Sequence, residues 1–220
     1  MFILSKLESD VRVSPQDLIK PPLLAVTEVL EKEYLDKVIP ELGLAVTIYD
    51  VLSVEGGHIY PNDGAAYFKV VFRLVVFRPF AGEVLVGRLI ASSKRGVRVA
   101  LDFFDDIHVP DYSLQDPSLY DSGEGLWRWL YEGNDMFMDL QEEVRVKVGT
   151  IKFNPLPPPP HAQPKNGDEA PLGTAGRPYS PMEVTGDMCG DGLGLTSWWD
   201  SAGGGGGGDG DDADMADGDG

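Results

Sequence analysis

Between positions 69 and 98 the basic residues Lys69, Arg73, Arg78, Arg88, Lys94, Arg95 and Arg98 face only one acidic residue, Glu83. Three of these cations, Lys94, Arg95 and Arg98, share the stretch SSKRGVRVALDFFDDIHVP (92–110) with Phe103, Phe104 and His108, and Trp127, Arg128 and Trp129 follow. Cations interleaved with flat rings are the chemistry of single-stranded nucleic-acid binding: charged groups meet phosphates, and aromatic faces stack on bases. The residues expected to contact RNA are Lys94, Arg95, Arg98, Phe103, His108 and Arg128. Strand alternation buries about half of such rings, so Trp127 or Trp129 and one of the two Phe are expected in a core. Trp198 and Trp199, adjacent near the end of the chain, are costly to leave in water. Either they fold back onto their own chain or they dock into a partner, and they are carried as partner-binding residues.

The cluster sits in an acidic background of 220 residues with a formal net charge of −18. Much of that acidity lies late, where residues 153–220 hold 12 acidic and 2 basic side chains. Whole-chain charge therefore does not describe the surface around Lys94. Other chemistries find no support. The chain has no G-x-x-x-x-G-K-[ST] phosphate loop, no G-x-S-x-G elbow and no H-E-x-x-H pair. His58, His108 and His161 are spaced about fifty residues apart with no evident Ser or Cys partner. Asp105 and Asp106 are neighbours on a strand and point to opposite faces, a poor metal pair. Asp209, Asp211, Asp212 and Asp214 lack the spacing and closing Glu of a calcium loop. No catalytic residue, metal or cofactor is expected. Cys189 is the single cysteine, which excludes an intrachain disulfide and fits a reducing compartment. MFILSKLESD has neither the basic start nor the apolar run of a signal peptide, and no apolar run approaches the roughly 20 residues of a membrane helix, so a soluble intracellular protein with no membrane partner is expected.

The elements that must position the cluster follow from periodicity. FILSKL (2–7) and VRV (11–13) read as strands, Ser14-Pro15-Gln16-Asp17 as a helix start, and Leu23, Val26, Leu30 and Tyr34 as one apolar helix face running to Val38. GLAVTIYDVLSV (43–54) and AYFKVVFRLVVFRPF (66–80) are strands joined through the turn YPNDG, with Phe68, Val70, Phe72, Leu74 and Val76 on the apolar side. Pro79-Phe80-Ala81-Gly82 breaks the pattern and is the expected domain boundary. Strands near 83–91, 97–102, 105–110, 126–131 and 142–153 then fit a five-stranded Greek-key barrel of the OB type. The expected organisation is an α+β N-terminal tip domain (1–80) and an all-β OB-fold domain (81–199). That second domain is interrupted by a disordered Pro-rich insertion at 154–178, and a disordered Gly/Asp tail follows at 200–220. YSPMEVTGDM (179–188) offers one further strand.

In that order, MFILSKLESDVRVSP, YPNDGAAYFKVVFRLVVFRPFAGEVLVGRL, FFDDIHVP and GLGLTSWW resemble the larger stalk subunit of archaeal and eukaryotic RNA polymerases, and the last two point to the RNA polymerase III version. The resemblance covers residues 1–152 and about 179–199. It implies a non-catalytic nuclear subunit whose tip docks on the polymerase III core. Such a subunit pairs with a smaller helical stalk subunit, and its barrel contacts nascent RNA during transcription of transfer RNA and 5S ribosomal RNA. It also assigns His108 to the usual histidine of the third barrel strand. The turn after the first barrel strand departs from related barrels: where they carry Phe-Gly-x-Phe, this chain has Arg95-Gly96-Val97-Arg98, so charge replaces stacking there. The alternative is a free-standing OB-fold RNA-binding factor of translation or RNA decay, for which residues 1–80 would be dispensable.

Overall fold

Alternating apolar and polar residues in AYFKVVFRLVVF make strand β4 (Ala66–Phe77), the centre of a four-stranded antiparallel sheet. Its other members are β1 (Phe2–Val13), β2 (Val38–Ile39) and β3 (Gly43–Ile59), in the order β1-β4-β3-β2. The computed structural model describes residues 1–155, 172–173 and 177–200. Val70, Phe72, Leu74 and Val76 of β4 are fully buried, as the alternation requires. Helix α1 (Pro22–Tyr34) covers that face with Ala25, Val26 and Leu30, and the Tyr34 ring lies 5.3 Å from Phe72 while its hydroxyl donates to Ser9 Oγ at 3.0 Å.

Three local expectations change. The two N-terminal strands are one, because Ser5, Leu7 and Ser9 continue the pairing against Leu74, Phe72 and Val70. The Ser14-Pro15 start yields only a single tight turn over Asp17–Ile19. Lys20 precedes Pro21, and the proline ring forces it into the extended conformation (φ −77°, ψ 157°). The helix that follows begins at Pro22, so Leu23 in its first turn stays 56 % exposed, and it ends at Tyr34 rather than Val38, which joins the sheet.

Beyond Phe77 the chain builds a ring. Strands β5 (Val84–Ser93), β6 (Gly96–Leu101) and β7 (Phe104–Pro110) are antiparallel neighbours. The strand LWRWLY is present as β9 (Leu126–Tyr131), but it lies outside the ring, in a three-stranded sheet with β8 (Ser118–Asp121) and β10 (Asn134–Phe137). Short turns return the chain directly onto β9 from both sides, so its edges are taken before β5 or β7 could use them. The place expected for it passes to β11 (Glu143–Phe153), which pairs with β5. After a two-residue pair, β12 (Leu172–Gly173) with β13 (Arg177–Pro178), strand β14 (Met182–Asp187) runs antiparallel to β11 and parallel to β7 and closes the ring. Residues 156–171 and 174–176 of the expected insertion, and 201–220 of the expected tail, lie outside the described residues. Short β15 (Gly194–Leu195) adds to β11, and one helical turn, α2 (Ser197–Asp200), follows.

Each region has its own buried cluster, and Phe77 is where they meet. Its side chain belongs to the cluster inside the ring, with Leu89, Val99, Ile107, Val146 and Val184, although its backbone ends β4 of the first sheet. Its ring lies 5.0 Å from Phe103, 5.4 Å from Phe104 and 5.8 Å from Phe2. The N-terminal ammonium of Met1 pairs with Glu83 at 2.6 Å across the same joint.

Candidate nucleic-acid interface

The β5–β6 hairpin turns at Ser93-Lys94-Arg95-Gly96. Gly96 has φ +123°, and a Cβ there would sit 2.1 Å from the Val109 carbonyl oxygen, so no larger residue fits the turn as built. Ser93 Oγ donates to the Gly96 carbonyl at 3.1 Å, and the buried Trp127 indole donates from beneath to the Ser93 carbonyl at 2.8 Å. Trp127 and Phe104 are thus members of the ring's core, Trp129 is buried as well, and the Trp127 hydrogen bond fixes the turn. Lys94 and Arg95 stand exposed at the tip.

Arg98 lies on the outward face of β6, directly opposite His108 of β7, which in turn faces Thr185 of β14. Its guanidinium is engaged: Nε donates to the Asp105 carbonyl at 2.9 Å, and Nη2 meets Asp105 Oδ2 at 3.2 Å and Asp106 Oδ1 at 3.1 Å. Asp106 Oδ2 also accepts from the buried Ser180 hydroxyl at 2.6 Å. The adjacent aspartates therefore act as counter-ions that offset Arg98, and of the three hairpin cations Lys94 and Arg95 are the exposed ones.

The remaining sequence-derived residues lie elsewhere. Phe103 sits past the far end of β6, on the order of 20 Å along the strand from Lys94. There its ring packs against Phe2 at 5.7 Å and against Phe77, at the joint between the two regions. Arg128 is on β9, where Nη1 donates to Asp135 Oδ2 at 2.7 Å. Phe103 is thus drawn to the joint and away from the Lys94 turn, whereas Arg128 follows Trp127, whose indole reaches the Ser93 carbonyl of that turn, and is itself engaged by Asp135. Trp198 and Trp199 are taken up by their own chain, with rings 5.1 and 6.2 Å from that of Trp129, and Trp199 Nε1 donates to the Leu193 carbonyl at 2.9 Å. Gly194 makes this possible, since a Cβ there would lie 2.7 Å from the Trp198 ring. Both indoles remain half-buried.

One exposed ring beside the turn escaped the sequence reading. Tyr112, 80 % exposed, follows β7 in the short helical turn Asp111–Ser113. The signal was present in HVPDYS: proline closes the strand, and a tyrosine between Asp and Ser on a turn has no sheet face to hide in.

At the far end of the first sheet a second polar constellation secures the YPNDG turn. Arg12 donates through Nε and Nη2 to the Asp63 carboxylate, and Tyr67 donates its hydroxyl to Asp63 Oδ2 at 2.6 Å. These bonds, Arg12's first, hold the Asp63 carboxyl down from 3.8 to about 2, and the same bond to Asp63 raises the Tyr67 phenol. Among the described residues no three His, Cys, Asp or Glu side chains are grouped to hold a metal ion, and no helix is long and apolar enough to cross a membrane.

Known proteins resemble this chain over most of its length. Residues 83–199 match the family profile described as RNA polymerase III subunit Rpc25, and residues 8–64 match the SHS2 domain found in the N terminus of Rpb7p/Rpc25p. The chain is 36% identical over 205 residues to DNA-directed RNA polymerase III subunit rpc8 of Schizosaccharomyces pombe, covering 90% of this chain and 100% of that one. It is 37% identical over 209 residues to RPC8 of Bos taurus (92% and 100%), and 31% identical over 126 residues to the RNA polymerase subunit Rpo7 of Saccharolobus shibatae (57% and 70%). The chain belongs to the RNA polymerase III subunit Rpc25 family.

Proposed function

We propose that the chain serves as the non-catalytic stalk subunit of a nuclear DNA-directed RNA polymerase III. Its first eighty residues act as the tip that docks on the polymerase core. The ring of β5, β6, β7, β11 and β14, read as a five-stranded OB barrel, meets the emerging transcript. The strand order supports the barrel reading, since three sequential antiparallel strands closed by one parallel pair is an OB-type path. Like its relatives by name, the chain works in transcription, here of small untranslated RNAs. The single observation that carries the assembly reading is an apolar seam across the joint. Phe2, Leu4, Val84, Val86 and Phe103 are each 43–52 % exposed, and Phe2 touches Phe103. A 270 Å³ cleft between Met1, Val86 and Phe103 lies along it. A continuous apolar strip spanning two regions is costly in water and fits the apolar face of a helical partner, the smaller stalk subunit.

The test is purification of the tagged chain from its own cells with identification of what accompanies it, alongside co-expression with the small helical subunit. Polymerase III subunits in the first and a stable heterodimer in the second are expected. A soluble monomer that recovers no polymerase subunit and forms no heterodimer would instead support a free-standing RNA-binding factor.

A further inference from the structure

We propose that Tyr112 is a base-stacking platform for single-stranded RNA beside Lys94 and Arg95, an inference that rests on the RNA-contacting role given above. The register places Pro110 opposite Gly96, and the Asp111 amide donates to the Arg95 carbonyl at 3.3 Å, so Tyr112 stands within two residues of the cationic turn. Its backbone is held on both sides. Asp111 Oδ1 accepts from the Tyr112 amide at 2.9 Å, the Ser113 carbonyl accepts from the Met188 amide at 2.7 Å, and the next residue, Leu114, is buried. A ring that is 80 % exposed on a backbone so fixed has its point of attachment set, and stacking need order only its two side-chain torsions. Its position beside the turn restores the ring that Arg95-Gly96-Val97-Arg98 lacks.

The surroundings favour RNA over a protein partner. A protein hot spot lies in a well-packed pocket whose rim excludes water, whereas Tyr112 stands open beside Lys94, Arg95 and Asp111, all exposed, with the exposed Cys189 thiol 3.8 Å from its carbonyl. Two cations and one open ring supply what a nucleotide offers in return, a phosphate charge and a base face. The exposed end of the hairpin, Lys94 above all, carries the phosphate contact and Tyr112 the base contact.

The experiment measures binding of labelled oligo(U) and oligo(A) to the full chain across a salt series. Tyr112→Ala is expected to weaken both by about tenfold at every salt concentration with the salt slope unchanged, and Tyr112→Phe to stay within about twofold of the parent. Lys94→Ala with Arg95→Ala should instead flatten the slope, by about 0.7 per cation. A 4-thiouridine-substituted oligomer should crosslink to the peptide containing Tyr112. Equal binding by the parent and Tyr112→Ala, or crosslinks confined to other peptides, overturns the platform and leaves the RNA role standing. A parent chain that binds neither oligomer overturns the RNA role itself. Unchanged RNA binding together with loss of a co-purifying polymerase subunit would make Tyr112 a protein contact and overturn the platform likewise.

Discussion

The first sheet and the ring treat their exposed side chains in opposite ways. On the open face of the sheet three cations pair with carboxylates: Lys69 with Glu8 at 2.7 Å, Arg73 with Asp50, Arg12 with Asp63. At one end the same face exposes Phe2 and Leu4, with Lys6 next along the strand. The ring buries its core valines and leucines, contributes Val84, Val86 and Phe103 to the seam, and carries Lys94 and Arg95 out on a turn. An apolar seam suits cover by protein, while exposed cations on a protruding turn suit a polyanion that arrives and leaves in water. In the function proposed above, the seam shared by both regions serves assembly and the turn serves passing contact with RNA.

The strongest way to break that division is to remove the residue both regions share. Phe77→Ala should cost about 3–5 kcal/mol, the usual range for truncating a buried Phe, because its ring touches Phe2, Phe103 and Phe104 together. Denaturant unfolding followed by probes in each region should then show two transitions where the parent shows one. Coincident transitions at the parental midpoint would mean the joint does not couple them. Next in size is Gly96→Ala, roughly 1–3 kcal/mol through forced backbone strain and a clash with the Val109 carbonyl. Gly82→Ala, at φ +89° with nothing within 4 Å of a Cβ, is the control and should cost less. Thermal melting of the pair measures the gap, and equal losses would remove the tight-turn explanation.

How much of this was readable in advance follows the range of the interactions. The face of β4 (Val70, Phe72, Leu74, Val76) came from period-two alternation alone, because a strand with one buried side must write that side into its sequence. The hairpin carrying Lys94 and Arg95 was equally local. What was not legible depended on partners far away in the chain. LWRWLY has the composition of a ring strand, and only the competing pairings of β8 and β10 exclude it. Phe103 is an exposed ring near a cationic turn in sequence, yet Phe2 and Phe77, residues from the other region, claim it. Arg98 looked like a third cation, and its neutralisation by Asp105 and Asp106 required the β6–β7 turn to fold them back onto it.

Arg98 sharpens the comparison at a smaller scale. It is an ion pair of the kind found on the first sheet, placed on the ring. Arg98→Ala should lower stability by about 0.5–1 kcal/mol, as expected for partly exposed pairs, and should leave Asp105 and Asp106 without that counter-ion. Lys94→Ala should leave stability unchanged. Melting temperatures of the two single variants distinguish them, and a Lys94 variant as destabilised as the Arg98 variant would show that the turn cation is also structural.

The smallest effect concerns acid. Asp17, Asp50 and Asp63, all within the first eighty residues, have carboxyls held below the usual value, Asp63 chiefly by hydrogen bonds from Arg12 and then Tyr67. A group whose folded value is depressed contributes stability above its unfolded value and loses it as pH falls through the folded one. For Asp63 that window runs from 3.8 down to about 2, so the contribution is whole at neutral pH and is lost progressively only in strong acid. The YPNDG turn should therefore loosen from β1 between those limits, with the turn amides of Asp63 and Gly64 exchanging faster while the β5–β6 hairpin is unaffected by this titration. Asp63→Asn, which keeps the shape and removes the charge, should abolish the pH dependence at the turn. An Asp63 carboxyl that titrates by NMR at 3.8 or above would mean the Arg12 and Tyr67 bonds do not hold the turn in solution, and the charge matching that sets the first sheet apart from the ring would lose one of its three pairs.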